Sequence, residues 1–127
     1  MNQRTDDPSD NQGESAQAYS DGVRMADARR VLEHTFGHAG FREPQESIIR
    51  HVLGRQHALV MMPTGMGKSL CYQIPAIVWG QSTDRSSSQK RPLTLVLSPL
   101  IALMKDQVDQ LRQLGVDAEL INSSLGR

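Results

Sequence analysis

The feature that most limits how this chain can fold is a junction. Five apolar residues, Ala58-Leu59-Val60-Met61-Met62, run straight into Pro63-Thr64-Gly65-Met66-Gly67-Lys68-Ser69. A short unbroken apolar run suits a strand buried on both faces. Gly65 and Gly67 permit backbone angles closed to other residues and let the chain approach another group closely. From Lys68 onward the pattern reads as a helix, which Pro75 is expected to limit or kink in its second or third turn. Strand, glycine turn and helix in that order form one repeat of a parallel α/β sheet.

The remaining segments extend that repeat. Leu93 to Leu97 reads as a second apolar strand and Ala118 to Ile121 as a third. Ile101 to Leu114 reads as an amphipathic helix with Met104, Val108, Leu111 and Leu114 on one side, ended by Gly115. Upstream, Met25, Ala28, Val31, Leu32 and Phe36 recur at helical spacing in a helix starting near Asp21 or Gly22 and stopped by Gly37. A second helix fits Pro44 to Leu53, with Ile48, Ile49, Val52 and Leu53 on its apolar side and Gly54 at its end. Residues 1–20 are polar and predict a disordered tail; residues 21–127 form the expected domain. The serine-rich segment from Gln81 to Pro92 reads as a surface loop. Three parallel strands make half of a doubly wound sheet, so the domain is expected to be incomplete on its C-terminal side.

Composition narrows the class. Of 127 residues, 38% are hydrophobic and only 4% aromatic, so the core must be largely aliphatic. Lys+Arg and Asp+Glu balance at 14 each, so any nucleic-acid contact must be local. Cys71 is the one cysteine, which rules out an internal disulfide and suits a reducing compartment. The first residues carry no apolar stretch of signal-peptide type, and no run reaches the roughly 20 residues that span a bilayer. A cytoplasmic protein without membrane contact is the expectation.

The junction itself has a chemistry. In the pattern G-x-x-x-x-G-K-[ST], backbone N–H groups of a glycine turn surround phosphate oxygens, and the following helix directs its free N–H groups at the anion. Lys68 would reach the β- and γ-phosphates of a nucleotide and Ser69 would offer its hydroxyl to Mg²⁺. The first glycine of the pattern is replaced here by Met62. The bland alternative is a glycine-rich turn with an exposed lysine, but the strand before and helix after favour the cradle. His34, His51 and His57 lack metal-ligand spacing, and Cys71 and Trp79 read as packing residues.

Two further stretches join the cradle. Upstream stands Leu32-x-x-x-Phe36-Gly37-x-x-x-Phe41-Arg42-x-x-Gln45-x-x-x-Ile49; downstream stands Ser98-Pro99-Leu100-Ile101-Ala102-Leu103-Met104-Lys105-Asp106-Gln107-Val108. Together with MPTGMGKSLCYQIP these closely resemble RecQ-type DNA helicases of helicase superfamily 2, from about Ala26 to Ser123. In that superfamily the first cradle position is often not glycine, which accommodates Met62.

The resemblance implies a RecA-like P-loop domain that binds ATP with Mg²⁺. It implies cofactor contacts from His38, Arg42, Gln45, Pro63, Thr64, Gly65, Met66, Gly67, Lys68, Ser69 and Leu70, with Lys68 and Ser69 in the catalytic role. Gln45 would bond the N6 and N7 edge of adenine, a bidentate contact giving roughly 5- to 150-fold preference over guanine. Arg42 would support that loop or the ligand, and His38 would stack on the base. Phe36 and Phe41 are expected in the core. Ser98, Pro99, Lys105, Asn122 and Ser123 would approach single-stranded DNA, although Lys105 beside Asp106 also reads as a solvated pair. Leu100, Ile101, Met104 and Val108 are expected to be core. Relatives commonly have glycine where this chain has Met66, whose side chain should face solvent.

By the same resemblance, the intact protein would be an ATP-dependent 3′→5′ helicase of DNA repair and recombination in the bacterial cytoplasm or nucleoid. It would act on single-stranded and duplex DNA, with a single-strand-binding protein as a possible partner and zinc confined to a region this chain lacks. Hydrolysis in the family also needs an acid pair on a later strand and arginines from a second lobe. After Ser69 the carboxylates are Asp84, Asp106, Asp109, Asp117 and Glu119, none in such a context. The chain is therefore expected to bind ATP with little or no turnover and no unwinding. A different P-loop enzyme, or a non-catalytic ATP- or DNA-binding module, are the competing readings.

Overall fold

The computed structural model describes residues 10–81 and 92–123. Four helices make up its regular structure: α1 (Asp10–His34), α2 (Gln45–Leu53), α3 (Leu70–Gln81) and α4 (Ile101–Gln113). The proposed boundary at residue 20 is crossed by α1, which starts at Asp10 rather than near Asp21. Extending a helix costs far less than nucleating one, and the packed half of α1 supplies the nucleus. Residues 1–9 and the serine-rich loop between Gln81 and Pro92 lie outside the described residues.

Helices α1, α2 and α3 pack on one another in pairs. Met25, Ala28, Val31 and Leu32 of α1 meet Ile49 and Leu53 of α2 and Ile74 and Val78 of α3 in a single buried cluster. The helical spacing selects all of these on α1 and α2, but Ile48 and Val52, expected on the same apolar side of α2, are only half-buried; the cluster is aliphatic, as the scarcity of aromatics requires. Phe36, Phe41 and Trp79 pack against this cluster from its edge. Pro75 neither ends α3 nor shortens it; the helix continues to Gln81 with the proline ring buried. Its fixed φ is helical, and burying the ring in the core offsets the backbone bond it cannot make. Two polar ties brace the pair α1–α2. Arg29 meets Glu46 at 2.6 Å, and the Arg24 guanidinium donates to the Leu53 carbonyl at 3.3 Å.

The expected parallel sheet is not formed among the described residues. Segments 58–62, 93–97 and 118–121 carry no ladder pairing. Many of their side chains stand in solvent, with Leu59 92% exposed, Leu93 91% and Ile121 82%, while Val60, Met62, Ala118 and Leu120 are half-buried. The physical reason lies in the nature of a parallel strand. Its backbone bonds come only from neighbours distant in sequence, and its two apolar faces need helices on both sides. Here α1, α2 and α3 spend their apolar faces on each other. Helix α4 comes close to none of them along its backbone and buries no residue. Leu100 and Ile101, expected in the core, are exposed, and Met104 and Val108 are half-buried. An amphipathic pattern names the face that wants cover without supplying it.

Candidate functional site

The glycine loop is shaped by its own backbone. The Met66 N–H donates to the Pro63 carbonyl at 3.4 Å, and Gly65 and Gly67 adopt φ of +84° and +74°. Leu70, Cys71 and Tyr72 N–H groups then donate to the carbonyls of Gly67, Lys68 and Ser69, which begins α3. The helix thus starts two residues after Lys68, leaving Lys68 and Ser69 in the turn at its N-terminus. Side chains on the loop flank add to this. Lys68 is exposed, and its Nζ donates to the Met62 carbonyl at 3.0 Å. Met66 is half-buried rather than turned fully to solvent.

Gln45 organises the loop from beneath. It is 2% exposed, at the start of α2. Its Oε1 accepts the Arg42 N–H at 2.8 Å, and its Nε2 donates to the carbonyls of Met66 at 3.3 Å and Gly67 at 3.1 Å. Both amide donors are therefore occupied, while the oxygen keeps one lone pair free. Arg42 adds a second tether, its guanidinium donating to the Gly65 carbonyl at 3.2 Å. The sequence reading gave Arg42 a choice between supporting the loop and touching the ligand; in this structure it supports the loop.

These residues line one cleft of about 190 Å³, bounded by His38, Arg42, Gln45, Gly65, Gly67 and Leu70, with Leu32 and Gly40 completing the wall. Ligand pockets for whole drug-sized molecules run to about 300–1,000 Å³. This one is smaller, the size of a single ring system. His38 is placed at the cleft by its own N–H, which reaches back to the Leu32 carbonyl at 3.1 Å. Leu32 and Gly40 were not singled out as site residues from the sequence. Leu32 carries a core signal that masks its second role, and Gly40 stands between His38 and Arg42 without any pattern of its own.

The second constellation lies apart from the cleft. The Ser98 hydroxyl accepts the Leu100 N–H at 3.3 Å, forming the turn that contains Pro99 and leads into α4. Lys105 is exposed and pairs with Asp109 at 2.5 Å, one helical turn on, rather than with its neighbour Asp106 alone. The hydrogen bond and charge of Asp109 hold the Lys105 ammonium above the usual lysine range, with a smaller push from Asp106. Asn122 and Ser123 close the described part of the chain. Arg112 ties the end of α4 to the next segment through the Ala118 carbonyl at 2.9 Å and the Glu119 carboxylate. A contact absent from the sequence reading joins the two regions. The Tyr72 hydroxyl on α3 donates to Gln107 Oε1 on α4 at 2.9 Å. Burial pushes the Tyr72 hydroxyl above its ordinary range, and the bond to Gln107 works against that push.

Residues 42–126 match the DEAD/DEAH box helicase family. The chain belongs to that family, and its relatives place it with the RecQ type. It is 52% identical over 102 residues to the ATP-dependent DNA helicase RecQ of Haemophilus influenzae, a match covering 80% of this chain and 15% of the relative. The RecQ helicase of Pasteurella multocida is 50% identical over 94 residues, covering 74% of this chain and 13% of the relative. That of Bacillus subtilis is 46% identical over 98 residues, covering 76% and 15%. The chain therefore spans about 15% of the length of the relatives it matches. Family membership implies a RecA-like fold; among the described residues its sheet is not formed. Among the described residues, no helix is long and apolar enough to cross a membrane, and no group of three metal-binding side chains gathers.

Proposed function

We propose that these residues form the nucleotide-gripping part of an ATP-dependent, 3′→5′ RecQ-type DNA helicase acting in repair and recombination in the bacterial cytoplasm or nucleoid. One observation carries the reading: His38, Arg42, Gln45, Gly65 and Gly67 converge on one ring-sized cleft at the N-terminal turn of α3. The adenine ring enters that cleft with His38 against its face. The free lone pair of Gln45 Oε1 accepts the adenine N6–H without disturbing the loop. Donation from Nε2 to N7 requires Gln45 to release one of the two loop carbonyls. Lys68 leaves the Met62 carbonyl for the β- and γ-phosphates, and Pro63, Thr64, Met66 and Leu70 frame the loop around them. Ser69 offers its hydroxyl to Mg²⁺, which would neutralise the phosphate charge. Ser98, Pro99, Lys105, Asn122 and Ser123 face the single strand, and a single-strand-binding protein remains a candidate partner.

Of the described carboxylates after Ser69, Asp109 holds Lys105 and Glu119 holds Arg112, and no two of them are adjacent as an acid pair. This favours binding without turnover by the chain on its own. Calorimetric titration with Mg-ATP and Mg-GTP tests the reading. Heat with ATP, a preference over GTP and loss of binding in Lys68→Ala are expected. Equal affinity for GTP would remove the adenine role of Gln45, and no heat with either nucleotide would remove the cradle. DNA-stimulated hydrolysis by the chain itself would overturn the binding-only assignment.

A further inference from the structure

Helix α4 stands away from the three-helix core, yet it is not loose from it. Among the described residues, one side-chain hydrogen bond joins α4 to α1, α2 or α3: Tyr72 to Gln107, 2.9 Å, half-buried at both ends. Its position on α3 matters. Tyr72 lies one turn beyond the loop, and its N–H and that of Gln73 both hang from the Ser69 carbonyl, at 3.3 and 3.0 Å. A movement of the Ser69 turn is thus passed to the Tyr72 ring through a closed helical turn. At the other end, Gln107 sits six residues into α4, about 9 Å along a helix that moves as a rod. The head of that rod is the Ser98-Pro99-Leu100 turn, held by the Ser98 hydroxyl.

We propose that the Tyr72–Gln107 hydrogen bond is a positioning link that transmits nucleotide occupancy of the glycine loop to α4 and its leading turn. The inference rests on the reading of the loop as a nucleotide site. Two arrangements of the loop provide the switch. In the present one, Lys68 bonds the Met62 carbonyl and Gln45 holds Met66 and Gly67. With a triphosphate, Lys68 turns to the anion and the Ser69 turn shifts with it. Because the backbone of α4 comes close to none of the other helices among the described residues, the directional Tyr72–Gln107 bond is well placed to set its position. A ligand can shift such an equilibrium only through a contact that differs between the two states, and the Lys68 contact is that difference.

Amide hydrogen exchange on the 127-residue chain tests this, with and without Mg²⁺ and a non-hydrolysable ATP analogue, in wild type, Tyr72→Phe, Gln107→Leu and Gln107→Glu. Protection in α1–α3 reports that each variant is folded, and protection of residues 63–70 reports nucleotide binding itself. The expected result is that nucleotide alters exchange across residues 101–113 in wild type and in Gln107→Glu, which keeps an acceptor. Tyr72→Phe and Gln107→Leu lose that response while keeping loop protection. Without nucleotide, both exchange α4 amides about 2- to 13-fold faster, the span of one hydrogen bond. The double variant is no worse than either single one. A response in α4 that survives Tyr72→Phe overturns the link, as does a silent α4 in wild type whose loop is protected. If the loop itself gains no protection, the nucleotide reading fails, and the link is then judged by the nucleotide-free comparison: unchanged α4 exchange in Tyr72→Phe overturns it too.

Discussion

Gln45 and Gly67 are fitted to each other. The Gln45 amide nitrogen lies 3.1 Å from the Gly67 carbonyl, and a Cβ built on Gly67 would stand 2.3 Å from that nitrogen. Gly67 is therefore held to glycine twice, by its φ of +74° and by the buried amide beside it. Gly65 has an equally left-handed φ of +84° but open space where a Cβ would go. The two cradle glycines are thus unequal, although the sequence presents them alike.

That inequality predicts unequal alanine variants. Gly65→Ala carries the left-handed backbone cost alone, about 1–2 kcal/mol. Gly67→Ala carries the same cost and also displaces Gln45 from its loop carbonyls, for a total of about 2–5 kcal/mol. Chemical denaturation of the two variants checks the order. If Gly65→Ala proves the more damaging, the Gln45 contact is not what constrains the loop.

Gln45 itself should be intolerant of small changes. Gln45→Ala leaves the Arg42 N–H and the Met66 and Gly67 carbonyls without their present partner, and opens a void where a 2% exposed side chain stood. A loss of about 2–4 kcal/mol is expected from one unsatisfied buried group and the missing packing. Gln45→Glu keeps the acceptor for Arg42 but turns a carboxylate toward two carbonyls. It should therefore unfold at lower denaturant concentration than wild type at neutral pH, and recover as the carboxyl is protonated in acid.

Lys68→Ala should separate folding from binding. The ammonium is exposed and its one described bond is to the Met62 carbonyl, so the unfolding midpoint should move by less than about 0.5 kcal/mol. Mg-ATP affinity should fall about 10- to 150-fold, the worth of a charge-assisted bond of about 1.5–3 kcal/mol. Paired thermal and calorimetric measurements on one preparation decide it. A variant that loses stability as well as binding would assign Lys68 to the fold.

Much of this site was legible from residue order. Met25, Ala28, Val31 and Leu32, then Ile49 and Leu53, announce their buried face by spacing alone, and glycines mark where their helices stop. The cradle is legible because its chemistry demands glycines, lysine and serine in fixed order. Other features depend on what lies across space. The run Ala58 to Met62 says that a strand there needs neighbours on both sides, but no local pattern supplies them. Leu100 and Ile101 lie on an apolar face for the same reason and remain exposed. The Tyr72–Gln107 bond spans 35 positions between residues that belong to no shared motif. The hold of Gln45 on the loop was hidden because an amide suited to adenine is equally suited to backbone carbonyls.

Cys71 offers a test by pH. It is buried, and burial pushes its thiol above the ordinary value of 9.0. At any pH near 8 the folded chain then carries less thiolate than the unfolded chain, and thiolate is the reactive form. Alkylation should be slow in buffer and fast in denaturant. The sign for stability follows: the contribution of the neutral thiol is complete below pH 9.0 and is lost as pH rises through the higher folded value. Rapid labelling at pH 8 without denaturant would mean that the first turns of α3 open freely.

The uncovered segment from Leu93 to Leu97 carries the last prediction. Leu93, Leu95 and Leu97 are 91%, 76% and 87% exposed, with Thr94 and Val96 between them. A short β-prone window without charge or proline, unpaired and in solvent, is a template for association between copies. A lysine at its centre should block that pairing through charge repulsion between copies. Leu95 touches none of the buried cluster of α1, α2 and α3, so Leu95→Lys should leave the unfolding midpoint of that cluster in place. Light scattering over a concentration series should rise steeply for wild type and stay low for the variant. Equal scattering from both would place the association surface elsewhere, with the exposed Leu100, Ile101 and Leu103 at the head of α4 the next to replace.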